Sequence, residues 1–195
     1  MRKVIVSMNV TMDGFMAGPN CELDWHFRSW TPEMADLLYE QLSRADAILL
    51  GRVTYMAMAG YWPAKARDVL LPRDDVPFAH LMNSYRKLVF SKTLTRPKWN
   101  NSKFLRGTPA EEVSHLKKMA GKNMIVYGSG DVVTSLINSN LVDEFHLWVH
   151  PVIIGSGKRL FKELRDTLNL TLLETKSFPS GVIVLRYQRD SSEMD

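Results

Sequence analysis

The 195-residue chain has a single cysteine, Cys21, so it cannot close an intrachain disulfide. A lone thiol suits a reducing compartment, and the cytoplasm is the expected location. No apolar run approaches the roughly 18 residues of a membrane helix. The opening Met1-Arg2-Lys3-Val4-Ile5-Val6 has the basic pair of a leader. Its apolar stretch is short, however, and reaches Asp13 without a small-residue cleavage site, so a buried first strand is expected. Lys and Arg nowhere cluster with aromatics, which argues against a nucleic-acid partner. Repeats, low-complexity tracts and linkers are also missing. One domain over residues 1–189 is expected, followed by an acidic flexible tail at 190–195 that holds three acids and no base.

What is present is ordinary for a folded domain: 45% hydrophobic and 24% charged residues exclude a disordered or coiled-coil chain. The net charge of +4 suits an anionic ligand such as a nucleotide, or no particular partner.

Several chemical motifs fail on inspection. Gly155-Ser156-Gly157-Lys158 looks like the end of a phosphate loop, but Arg159 stands where Ser or Thr belongs. There is no Gly-x-Ser-x-Gly elbow. His146 and His150 are four apart in a β-like run, about 13 Å, too far for one metal, so no metal site is expected. Cys21 has no activating base beside it in the chain and reads as a structural or incidental thiol.

Strand and helix alternate through the first two thirds. Strands are expected at Lys3–Val10, 47–50, 87–91, 104–105 and 124–127. Helices are expected after Thr31-Pro32, beyond Tyr55 toward Gly60, from Thr108 to Gly121 and over 131–139. Residues 61–80 read as loop with a short helix after Pro77, and 160–164 as a short helix. The last third is β-rich, and Pro179-Ser180-Gly181 marks a hairpin. This predicts a mostly parallel α/β sheet ending in antiparallel strands.

Three strand-to-helix junctions can hold a phosphate. Tyr127-Gly128-Ser129-Gly130-Asp131 offers glycine backbone amides at a helix start, although a plain tight turn also explains it. Gly51-Arg52-Val53-Thr54-Tyr55 adds a guanidinium and a hydroxyl; a surface Arg beside a Thr cap is the alternative. Ser91-Lys92 supplies a hydroxyl and an ammonium. In an open parallel sheet, ligands gather at such carboxyl ends. Trp25 and Trp30 flank the first loop and, with Tyr55, are candidate substrate contacts.

The order of these motifs is recognisable. Ser7-Met8-Asn9-Val10-Thr11-Met12-Asp13-Gly14-Phe15-Met16-Ala17 resembles the first strand and loop of the dihydrofolate reductase-like superfamily. Leu50-Gly51-Arg52-Val53-Thr54 and Tyr127-Gly128-Ser129-Gly130 resemble its cofactor junctions. His150-Pro151-Val152-Ile153-Ile154-Gly155 is similar to the reductase domain of bifunctional riboflavin-biosynthesis proteins, and the chain looks like a small bacterial member. Leu23-Asp24-Trp25 departs from the Pro-Trp pairing of folate enzymes, and the His and paired Cys of a deaminase are missing.

The resemblance implies a three-layer α/β/α fold, commonly a homodimer, with NADPH as hydride donor and a small heterocyclic substrate, pterin- or pyrimidine-like. It places Gly51, Arg52 and Thr54 at the cofactor phosphates, and Ser91 and Lys92 near the adenosine. Tyr127, Gly128, Ser129, Gly130, Asp131 and Val132 would cradle the pyrophosphate, and Asn9, Val10, Met16 and Ala17 would surround the nicotinamide. Asn9 is also a candidate catalytic residue, with Glu33 and Asp36 as proton donors. The competing expectations are an NADP(H)-binding sensor without turnover and a purely structural dimer.

Overall fold

β1 (Val4–Thr11) is apolar on both sides, and the fold uses both. Val4, Val6, Met8 and Val10 enter one core, while Ile5 enters the other. A strand buried on both faces belongs inside a parallel sheet. The computed structural model, which describes residues 2–65 and 76–190, puts it there.

Five strands join β1 in parallel: β3 (Ala45–Gly51), β4 (Arg86–Phe90), β5 (Ser102–Leu105), β6 (Asn123–Val126) and β7 (Glu144–His150). The hairpin of β9 (Leu170–Ser177) and β10 (Ile183–Arg189) adds antiparallel strands to β7. The sheet order is β5-β4-β3-β6-β1-β7-β10-β9. A separate antiparallel pair, β2 (Phe15–Ala17) with β8 (Lys158–Arg159), ties the first loop to the segment after β7. α2 (Pro32–Ser43), α3 (Arg52–Lys65) and α4 (Val76–Ser84) cover one face. α5 (Pro109–Lys117) and α6 (Gly130–Ile137) cover the other, giving the three layers expected.

The structure corrects several boundaries. α3 starts at Arg52 and runs through Gly60 and Pro63 to Lys65 instead of stopping near Gly60. Its last turn is held by Trp62 packing on Phe78, ring centroids 5.3 Å apart, a tertiary contact that overrides the local breakers. α4 begins at Val76, one residue before Pro77. Residues 66–75, including Pro72, and 191–195 of the expected tail lie outside the described residues. α5 ends at Lys117, so Gly121 does not stop it. Gly121 instead lets the chain pass Arg2 and Asp46, where an added Cβ would sit 2.6 Å from the Asp46 carboxylate. The helix expected at 160–164 is not formed. Leu160 is fully buried, and Thr134 of α6 and Asn138, just past its end, donate to the carbonyls of Lys162 and Glu163.

Tyr55 is also corrected. It is fully buried in the α2–α4 core and has no surface for a substrate to touch. Its hydroxyl accepts from the backbone amides of Lys98 (2.9 Å) and Trp99 (3.1 Å), pinning the segment after β4. Beside it, buried Lys87 donates to the Met82 and Asn83 carbonyls and lies 4.3 Å from the Trp99 ring centroid. Tyr55→Phe leaves both amides without that acceptor and should cost about 1–3 kcal/mol in urea unfolding. A loss under about 0.5 kcal/mol would mean that the amides find water instead.

At the opposite end of the sheet, Glu144 accepts from Lys3 (2.6 Å) and His146 (3.1 Å). The His146 hydrogen bond first, then Lys3, hold its carboxyl down at about 2 against the opposing effect of burial. A carboxyl lowered by folding contributes stability above its usual 4.5, lost as pH falls through about 2. Glu144→Gln should flatten that acid limb in pH-dependent denaturation; an unaltered limb would assign acid lability to other groups.

Candidate functional site

The strands from β4 to β7 end at one edge of the sheet, in the order β4, β3, β6, β1, β7. Four strand steps at about 4.8 Å span about 19 Å, enough for an extended ligand lying across the ends. Two of these ends are joined. The Gly51 amide donates to the Gly128 carbonyl at 2.8 Å. A Cβ on Gly51 would lie 2.4 Å from Ser129 Oγ, and one on Gly128, whose φ is +116°, would lie 2.9 Å from Thr54 Oγ1. Only glycine permits both approaches. The Gly128–Ser129 peptide is cis.

The consequence is that the N-termini of α3 and α6 sit side by side. No side chain caps α6: Ser129 occupies the cap position without a cap hydrogen bond. By contrast, α5 is closed by a full capping box of Thr108 and Glu111. Uncapped first-turn amides at a positive helix end favour an anion. Arg52, the first residue of α3, is exposed beside them, and Thr54 is half-buried. Lys92 is exposed at the neighbouring end of β4. Ser91 is committed to its own turn: its hydroxyl accepts from the Thr93 and Leu94 amides, while Arg106 holds the Ser91 and Leu94 carbonyls.

Other candidates are brought to the same edge in different ways. Met16 lies over Gly130, within 3.2 Å of where a Cβ would be. Ala17 runs against Gly157, whose φ is +158° and whose added Cβ would come 2.2 Å from the Ala17 carbonyl oxygen. Val10 and Val132 are core side chains, so only their backbone can meet a ligand. Tyr127 has a buried hydroxyl without a partner, and burial raises its pKa. Asp131 is exposed and ion-paired with Lys162 at 2.7 Å, tying the start of α6 to the segment after β8.

Beyond β6, Asn9 at the end of β1 accepts from His150 Nε2 at 2.9 Å. His150 is fully buried. Burial first, then the neighbouring His26, pushes its pKa down to about 4, so the ring is neutral at pH 7. α1 (Asp24–Phe27) closes over it, with Trp25 edge-on at 5.2 Å between ring centroids and His26 at 6.1 Å. Trp25 Nε1 and His150 Nδ1 are both buried without a partner. Trp25 also lines a cleft of about 500 Å³ with Gly18, Asp24, Arg28, Pro151 and Val152. Trp30 is half-buried against the α2–α4 core. Asp13 orders the rim, accepting from Thr11 Oγ1 (2.6 Å) and the Gly155 amide (2.8 Å).

Glu33 and Asp36 lie at the start of α2. α2 turns Met34, Ala35, Leu38, Gln41 and Leu42 inward, and both carboxylates are exposed. His150 and His26 were missed. The partner of His150, Asn9, is distant in sequence. Among the described residues no group of three His, Cys, Asp or Glu could hold a metal ion. Nor is any described helix long and apolar enough to cross a membrane.

Known proteins share this architecture. The family model described as the RibD C-terminal domain matches residues 2–184. The uncharacterized protein YyaP of Bacillus subtilis (strain 168) is 37% identical over 186 residues, covering 95% of this chain and 94% of that protein. The uncharacterized protein YwjB of the same organism is 26% identical over 184 residues, covering 93% and 95%. A putative riboflavin biosynthesis protein from Shewanella sp. PV-4 superposes with a TM-score of 0.77 at 20% identity, over 96% of this chain and 99% of that one. A bifunctional diaminohydroxyphosphoribosylaminopyrimidine deaminase/5-amino-6-(5-phosphoribosylamino)uracil reductase from Thermotoga maritima gives 0.66 at 14% identity, over 97% of this chain and 57% of that one. The fold, the near end-to-end family match and a relative more than a third identical agree: this chain belongs to the RibD C-terminal domain family, which has the dihydrofolate reductase-like fold.

Proposed function

We propose that the protein is an NADPH-dependent reductase of a small heterocyclic substrate, pterin- or pyrimidine-like. The observation that carries this is the joined pair of helix starts at the β3 and β6 ends. The residues present fit a dinucleotide. The α6 amides lack a side-chain cap, Gly51 and Gly128 keep the junction free of Cβ atoms, and Arg52 and Lys92 add positive charge along the same edge. Arg52 and Lys92 would hold the 2′-phosphate, and the Gly128–Val132 backbone the pyrophosphate. Asn9 and the backbone of Val10, Met16 and Ala17 would flank the nicotinamide.

When bound, the nicotinamide supplies the hydride. The chain's own part is to hold and orient. α1 and the β2–β8 pair flank the end of β1, and the cleft beside Trp25 admits a small flat molecule. The outward orientation of Glu33 and Asp36 favours a second reading, an NADP(H)-binding sensor without turnover.

One titration separates the two. NADPH fluorescence reports binding, and absorbance with pterins, pyrimidines and quinones reports oxidation. Oxidation by any of them supports the reductase, binding alone supports the sensor, and no binding defeats both. Arg52→Ala should weaken NADPH about tenfold or more, with NADH little affected, since it removes one charge-assisted contact. Equal losses for both nucleotides would take Arg52 away from the 2′-phosphate.

A further inference from the structure

Asn9 reaches the end of β1 with one side of its amide already committed. Its Oδ1 accepts from His150, while its Nδ2 makes no hydrogen bond with any described residue and is not sealed from solvent. Counting donors supports this orientation. His150 Nδ1 is buried and has no partner. If the amide were turned the other way, Nδ2 would donate to a bare Nε2, and the ring proton would move to Nδ1. That would leave a buried N–H with no acceptor, which folded proteins rarely tolerate. With the proton on Nε2, the orphan is only a bare acceptor nitrogen. Trp25, whose own Nε1–H is buried without an acceptor, and His26 pack over the ring.

We infer that His150 is a positioning residue that holds Asn9 as an outward N–H donor, and that the ligand group docking at the end of β1 is an uncharged planar carbonyl. An anion is the poorer match, because the imidazole, indole and amide carry no charge, and the adjacent cleft sets two acids, Glu22 and Asp24, against one base, Arg28. The inference rests on the reductase reading. Two groups of such a reaction have this chemistry: the carboxamide of a nicotinamide and the lactam of a heterocyclic ring.

The test has two arms. In nitrogen-15 spectra of the free protein, with His150→Gln to assign the signal, His150 should show protonated Nε2 and bare Nδ1. An Nδ1–H signal overturns the inference. In the second arm, Asn9→Asp keeps an oxygen for His150 but removes the outward N–H. About tenfold weaker NADPH binding, with 2′-phospho-ADP-ribose unchanged, assigns the carboxamide. Unchanged NADPH with about tenfold weaker uracil binding in the presence of NADP+ assigns the lactam. No change in either overturns the inference. Should Asn9→Asp fail to fold, His150→Gln, which can still donate to Asn9, should retain the affected binding, and His150→Leu should lose it. Equal behaviour of the two overturns the positioning role. A wild-type protein that binds neither NADPH nor 2′-phospho-ADP-ribose removes the reductase reading instead, and the histidine spectrum then decides the pair alone.

Discussion

The hydrogen bond from Gly51 to Gly128 sets the geometry on which the site depends. It continues the β3–β6 pairing from the last residue of β3 to the junction beyond β6. Because neither glycine has a side chain, Ser129 and Thr54 close directly over the gap. The starts of α3 and α6 are thereby held together at one point of the sheet edge. A single helix start is a weak anion site, whereas two at adjacent strands, one uncapped and one opening on Arg52, concentrate positive potential.

From that point the sheet distributes roles in both directions. Toward β4, the turn built on Ser91 and Arg106 presents Lys92. Toward β1 and β7, the character changes from positive to neutral: Asn9, His150 and Trp25 form a polar cluster without net charge. An asymmetric ligand, anionic at one end and flat and uncharged at the other, matches this gradient. The loops are secured independently of any ligand, Asp13 bonding to the Gly155 amide and β2 pairing with β8.

Much of this was legible because it is local. Apolar runs such as Ile48-Leu49-Leu50 and Ile125-Val126-Tyr127, each followed by glycine, mark buried strands turning into helices, and Pro179-Ser180-Gly181 marks the hairpin. What depends on pairing was not. Asn9 and His150 are 141 positions apart, and only the parallel register of β1 with β7 brings them together. Tyr55 follows a glycine junction and so resembled a site residue, while its amide partners lie beyond β4. Glu33 and Asp36 are different: the apolar stripe of their own helix already points them outward, at about 100° per residue.

The central claim is that a dinucleotide lies across the carboxyl ends of β4, β3, β6 and β1. The most direct measurement is a backbone and side-chain amide NMR map of the protein titrated with NADPH. The account predicts perturbations at Gly51, Arg52, Gly128, Ser129 and Gly130 and at the Asn9 side-chain amide. Perturbations confined to the opposite end of the sheet, in the cleft lined by Glu144, His146 and Arg186, would contradict it.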